Sequence, residues 1–250
     1  VKTIALIDGD IFAYEAAAAA ETPINWGDDL WTLHAFETPA KQSLVDRIES
    51  LAEDVEADRI IIALSDTENF RKKILPTYKL NRAGVRKPML LKPLKEFMGE
   101  KFEVFIRPGL EGDDVLGILS TWPKLVGRKV IISKDKDFRT IPGEVFYANR
   151  ADEGILTITE EEADRFHLYQ TLTGDTTDGY SGCPGIGPVT AEKILDKAVA
   201  DGVPLWDAVV ATYAKKNLGE EEALTQARVA RILRASDYDF KNKEPILWTP

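Results

Sequence analysis

The chain predicts an α/β fold: an open, mostly parallel sheet flanked by helices, followed by a C-terminal helical lobe. Three observations predict it. Apolar, β-branched runs at residues 3–7, 59–64, 103–106 and 129–132 are continuous rather than alternating, as in strands buried on both faces. Helical patterns lie between and after them, at 11–21, 40–56, 90–99 and 113–121, so the order β-α-β-α-β-α-β favours right-handed crossovers. Beyond about residue 159 strand signals fade, and helical patterns follow at 160–172, 189–199, 205–215 and 220–233.

Each element has a local reason. The alanines at 16–20 favour helix but are too few to cross a membrane. Val115, Leu116, Ile118 and Leu119 give the 113–121 helix its buried side. Thr159 with Glu162 three residues on makes a capping box for the helix at 160. The expected organisation is a core over 1–158, with a basic gateway segment at about 67–101, and a helical lobe over 159–250 packed on it. A Gly-Pro-rich turn and helix start at 182–195 belong to that lobe. The pattern at 22–38, with Trp26 and Trp31, suggests no role.

Composition narrows the chemistry. With 250 residues and 44% apolar content, a full core is within reach, with an attached lobe. A single cysteine, Cys183, excludes an internal disulfide and a Cys-rich zinc site, and two histidines argue against a His-rich metal centre. No long apolar stretch or basic leader segment marks a membrane or export route, so the expected location is cytoplasmic. The net charge of −10 argues against a general polyanion binder. Its distribution argues the other way: residues 70–95 hold nine basic side chains, among them Arg71, Lys79, Arg82, Arg86 and Lys87, and no acidic one. Such polarity can present a local path to a polyanion on an acidic protein.

The acids carry the sharper signal. Asp8 ends the first strand run, Asp66 follows the second, Glu111, Asp113 and Asp114 follow the third, and Asp135 and Asp137 close the fourth. All fall at carboxyl ends of expected strands, where open α/β sheets gather their sites. So many carboxylates on one edge repel one another unless cations sit among them or some stay protonated. Asp175 and Asp178 add two more, directly before a turn containing Gly182, Gly185 and Gly187 that opens a helix at Val189 and Thr190. Carboxylate oxygens suit Mg²⁺ or Mn²⁺, and glycine amides beside a helix start form a phosphate cradle. Enough oxygens are present for two divalent ions, the arrangement that serves in-line attack of water on phosphodiesters.

These residues in this order resemble the 5′-nuclease (flap endonuclease) superfamily. The resemblance rests on Ile7-Asp8-Gly9-Asp10, Asp66, Leu75 through Arg82, Glu111-Gly112-Asp113-Asp114, Ser133 through Asp137, and Gly174 through Pro188, and spans nearly the whole chain. Within that group the chain is most similar to the 5′→3′ exonucleases of short-tailed bacteriophages, the gene-six exonuclease type. The resemblance implies a Rossmann-like (PIN-like) core and a helix-hairpin-helix variant that grips duplex DNA, with K⁺ bound there in many members. It implies that Asp8, Asp66, Glu111, Asp113, Asp114, Asp135, Asp137, Asp175 and Asp178 hold two Mg²⁺ or Mn²⁺ ions. Lys79 and Arg82 would meet the scissile phosphate, with Asp113 and Asp135 central to catalysis. Tyr78 would stack a terminal base, Arg71, Arg86 and Lys87 would line the gateway, and Gly182, Gly185, Gly187, Val189 and Thr190 would hold the duplex. Expected substrates are 5′ ends, nicks and flaps of duplex DNA, in phage-type replication or host DNA degradation, with RNA–DNA hybrids compatible.

Three other readings remain open at the level of sequence. A PIN-like nuclease acting on RNA would use the same acids. A non-catalytic junction binder would gain nothing from concentrating acids where phosphate must lie. A phosphatase of α/β type would leave the basic window and the glycine turn unexplained.

Overall fold

A computed structural model describes residues 1–250. In chain order its elements begin β1 (Thr3–Asp8), α1 (Gly9–Ala19), β2 (Glu21–Asn25), β3 (Trp31–Ala35), α2 (Glu37–Asp54) and β4 (Arg59–Ala63). The gateway segment follows as a short α3 (Arg71–Ile74), a 3₁₀ turn and α4 (Leu91–Lys101). The core continues with β5 (Glu103–Phe105), α5 (Gly112–Thr121), β6 (Arg128–Ser133), β7 (Gly143–Tyr147) and β8 (Ile155–Ile158). Then come α6 (Glu160–Thr173), α7 (Pro188–Asp201), α8 (Leu205–Ala214), α9 (Glu220–Ala230) and a small hairpin of β9 (Tyr238–Asp239) and β10 (Glu244–Pro245).

Six strands form one sheet in the order β5-β4-β1-β6-β7-β8, all parallel except β8, which runs antiparallel to β7. Every residue of β1 is buried, as a central strand of two-sided burial requires. Phe12, Ala17, Leu44, Ile48, Leu94 and Met98 of α1, α2 and α4 cover one face. Val115, Leu116 and Leu119 of α5, with Ile232 and Leu233, cover the other. The four apolar runs are the four strands expected. The sequence pattern does not show β7, β8 or the β2–β3 hairpin. The hairpin pairs only with itself and leaves Trp26 and Trp31 exposed, so no core alternation marks it.

The helices pack around their own core of Leu172, Leu195, Val209 and Tyr213. The Thr159–Glu162 capping box forms as expected. Helix α9 stops at Ala230 rather than continuing to 233. The reason is tertiary: the Arg231 carbonyl accepts from Arg71, and the Leu233 amide donates to Asp114, drawing this stretch out of helix and onto the core. No helix is long and apolar enough to cross a membrane.

Candidate metal centre and nucleic-acid interface

The parallel register of β1 and β6 pairs Ile7 with Ile132, so Asp8 emerges beside Ser133, whose hydroxyl donates to it at 2.7 Å. The same hydroxyl oxygen accepts the Asp135 amide, and Asp135 in turn caps the amide of Asp137 at 2.9 Å. Asp113 enters from the first turn of α5. These acids feel one another. Burial raises Asp8 to about 7, against its Ser133 bond and with help from the charges of Asp10 and Asp135. Burial likewise raises Asp137 to about 7, with Asp135, Asp175 and Asp178 adding to the shift and Lys136 opposing it. Asp113 is pushed well above the carboxylate range by burial, then by Asp8, Glu111 and Asp135, with Lys79 offsetting part.

A second group of acids sits against basic side chains, which outweigh burial at Glu111 but leave Asp178 raised. Lys79 reaches Glu111 at 2.5 Å and Asp178 at 3.5 Å, and Arg82 reaches Asp178 at 2.6 Å. Burial alone would raise Glu111, but Lys79, Arg71 and the Tyr78 hydroxyl outweigh it and bring the acid to about 2. The gateway is stitched to the acidic loop by backbone as well. The Lys79 amide donates to the Asp178 carbonyl, and the Asn81 side chain donates to the carbonyls of Thr176 and Thr177.

No three of these side chains stand close enough, as oriented, to cage one ion. Their chemistry nevertheless fits hard cations. Asp8, Asp113 and Asp137 are buried or half-buried carboxyls raised by burial and by neighbouring acids, the signature of oxygen donors without enough positive charge among them. The glycine turn offers a different surface. The amides of Gly185, Gly187 and Val189 have no partner within the protein, and all three residues are exposed. Gly185 adopts φ 74°, which suits glycine in such a nest.

Residues 3–166 match the profile of the 5′-3′ exonuclease, N-terminal resolvase-like domain. The chain belongs to the 5′-3′ exonuclease family. An exodeoxyribonuclease of Enterobacteria phage T3 is 36% identical, over 100% of this chain and 93% of its own length. An exonuclease of Escherichia phage T7 is 37% identical, over 100% and 94%. The fold is shared with the D15 protein of phage T5, solved with metal ions, at a TM-score of 0.67 and 20% identity over 92% of this chain and 89% of that one. It is shared also with the catalytic core of Rad2 in complex with DNA, at a TM-score of 0.53 and 12% identity over 99% and 83%.

Within this member of the exonuclease family, the structure brings Asp8, Asp113, Asp135, Asp137, Asp175, Asp178 and Glu111 to one edge, and sets several expected site residues elsewhere. Asp114 is fully buried with both oxygens on the Arg71 guanidinium at 2.7 Å, and it also accepts the amides of Glu111 and Leu233. It has no oxygen to spare, so it braces the fold rather than holding metal. Arg71 is correspondingly buried and turned away from any gateway surface. Asp66 accepts the amides of Gly109 and Thr67, which hold its pKa low, and borders a separate cleft with Phe70, Lys73 and Asn242. Tyr78 is 3% exposed, so its ring is not available to stack a base; its hydroxyl bridges Glu111 and Asp178.

Gly182 is buried as well, and its amide is spent on Gln226. It faces Gly174 so closely that a Cβ on either would meet the other's backbone at 2.3–2.5 Å, which explains both glycines without a phosphate. Arg86 is exposed but ion-paired with Glu21 at 2.6 Å, tying the gateway to the β2–β3 hairpin. Lys87 and Thr190 remain exposed. Gln170, donating to Asp137 at 2.8 Å, carried no signal in sequence. Ser133 and Lys95 lie in stretches the sequence singled out, but their bonds to Asp8, Asp135 and Asp10 are set only by the fold. Asp10 also accepts the Ser65 amide, so it ties α1, the β4 end and α4 together.

Proposed function

We propose that this chain hydrolyses phosphodiesters near 5′ ends of duplex DNA, working 5′→3′ from ends, nicks or flaps. The observation that carries the reading is the cluster of under-neutralised acids beside a basic gateway, with exposed loop amides nearby. Phage relatives named exodeoxyribonuclease and exonuclease, and fold neighbours solved with metal ions or DNA, support the same assignment. Asp8, Asp113 and Asp135 would hold one Mg²⁺ or Mn²⁺; Asp137, Asp175 and Asp178 would hold the other with Asp135. Such ions supply Lewis acidity toward water and the scissile phosphate.

The chain's own residues do the rest. Lys79 and Arg82 leave Glu111 and Asp178 for the phosphate oxygens, offsetting charge as it develops. Tyr78 keeps Glu111 and Asp178 in place through its hydroxyl. The Gly185–Val189 amides take duplex phosphates, giving register without reading bases. The resemblance extends the proposal to K⁺ at this turn and to RNA–DNA hybrids as substrates. Repeating the assay in KCl against LiCl, and with a hybrid substrate, reads both.

The test is cleavage of a nicked or 5′-recessed duplex labelled at either end, with Mg²⁺ or EDTA, by wild type and Asp135→Asn. Metal-dependent loss from the 5′ end alone, abolished by the substitution, is expected. Binding without cleavage in both Mg²⁺ and Mn²⁺ would make the chain a junction binder instead.

A further inference from the structure

On the side of the acids away from the gateway, the ends of β6 and β7 border a cleft of about 570 Å³. Lys136, Arg139, Tyr147, Arg150, Thr157 and Glu162 line it. The strand register places it next to the acids: Tyr147 pairs with Ser133, the residue bonded to Asp8. Lys136 points the same way, lying 3.6 Å from Asp175 and 3.9 Å from Asp137.

Its chemistry is that of an anion site. Arg139 and Arg150 are both exposed, yet each guanidinium lies over an aromatic face, Phe166 at 4.4 Å and Tyr147 at 4.5 Å. Stacking orients the planar forks before any ligand arrives. Tyr147 is 2% exposed and its hydroxyl has no partner in the protein, although a buried donor left unpaired costs about 1–3 kcal/mol. Of the glutamates beside the cleft, Glu162 accepts the Thr159 amide in the capping box, and Glu153 meets Arg150 in a solvent-exposed pair at 3.3 Å. Asp135 and Asp137 also border Tyr147, and they are the acids that bound cations would offset. Arg139 has no acidic partner within 4.0 Å.

We infer that this cleft is a second phosphate subsite, in which Arg139, Arg150 and the Tyr147 hydroxyl hold a backbone phosphate of the DNA across the acids from the gateway. The inference rests on the nuclease reading above and adds to it: the acids then lie between two cationic surfaces, so a strand crossing them is held on both sides. Arg150, already stacked on Tyr147, exchanges its exposed Glu153 pair for the phosphate, and the unpartnered Tyr147 hydroxyl adds a third bond. These contacts touch no base, so they contribute affinity and salt dependence rather than sequence preference.

The test is fluorescence anisotropy of a nicked duplex in EDTA over roughly 50–200 mM salt, with Arg139→Ala/Arg150→Ala and Tyr147→Phe. Lys2→Ala/Lys124→Ala, at the opposite edge of the sheet, removes the same charge as a control. The arginine double variant should bind roughly tenfold more weakly and lose about one to two units of salt slope. Tyr147→Phe should weaken binding about two- to fivefold with little change of slope. Affinity and slope equal to the control's would overturn the subsite. Inorganic phosphate and a 5′-mononucleotide are titrated in parallel. If their binding depends on the arginines while duplex binding does not, the cleft takes released product and the backbone assignment fails. Cleavage of the same duplex in Mg²⁺ by wild type tests the nuclease reading separately. A protein that never cuts but loses affinity with the arginines keeps the subsite and loses the nuclease.

Discussion

The carboxylates at the end of this sheet form a compensated and an uncompensated bank that mark opposite extremes, and one acid lies between them. Glu111 sits against Lys79 and Arg71 and is held at about 2, whereas Asp178, although it meets Lys79 and Arg82, is still raised by burial and by Glu111. Asp8 and Asp137, the stronger acids as free residues, rise to about 7, because burial and neighbouring acids act on them with too little positive charge to offset it. Asp114 is the limit of the first kind, saturated by Arg71 and by two backbone amides. The difference teaches where added cations stabilise. An ion gains most where the protein has left negative charge uncompensated, and least where a side-chain cation already occupies the oxygens.

The strongest way to break this comparison is to remove one acid from the uncompensated bank. Asp113→Asn should lower metal-dependent cleavage on the order of 10³-fold while raising the melting temperature of the metal-free protein at pH 8, since one repulsive charge is gone. A loss of both activity and stability would mean that Asp113 braces the fold. The opposite pattern is expected from the compensated bank. Asp114→Asn strands the buried Arg71 and should destabilise by about 3–5 kcal/mol in urea unfolding. A loss below about 1 kcal/mol would show that Asp114 is free to do something else.

Divalent ions sharpen the contrast through pH. The folded carboxyls of Asp8 and Asp137 are raised to about 7, well above the ordinary aspartate range, so the unfolded chain gives up these protons first. The stabilisation these two groups contribute to the metal-free protein is therefore full below about pH 4 and is lost as pH rises toward 7. Bound ions displace those protons and remove that loss. Saturating Mg²⁺, at about 100 times its dissociation constant, should add about 2.7 kcal/mol at pH 8 and much less at pH 5, as read by thermal unfolding. Titration calorimetry at pH 6 in buffers of different ionisation enthalpy should show protons released on binding. Equal Mg²⁺ stabilisation at both pH values would contradict the raised acids.

The smallest effect lies away from both banks. His167 is buried, bonded through Nε2 to the Ala227 carbonyl at 2.8 Å, and lowered to about 3 by burial and by Arg231. Its neutral form is the folded one, so its contribution is complete above about pH 6.5 and is lost as pH falls toward 3. At pH 5 that loss should be about 2 kcal/mol, and His167→Gln should flatten this acid limb in urea titrations. An unchanged slope would assign acid unfolding to other groups.

Much of this was legible in the chain itself. Continuous β-branched runs announce strands buried on both faces, so four of the six sheet strands and all four lobe helices followed from local pattern. The acids at strand ends followed too, because a parallel sheet brings its carboxyl ends together whatever the crossovers are. The strands β7 and β8 and the β2–β3 hairpin did not, since their burial depends on pairing rather than on alternation. What sequence could not do was sort the carboxylates. Asp113 and Asp114 are adjacent in the chain, yet one side chain turns toward Asp8 and the other into Arg71 and the Leu233 amide. Composition therefore determined that a carboxylate edge would form, and tertiary structure alone decided which acids remain free for cations. Charge compensation is a matter of a few ångströms between side chains far apart in sequence, such as Arg71 with Asp114 and Lys79 with Glu111, and only the folded chain sets those distances.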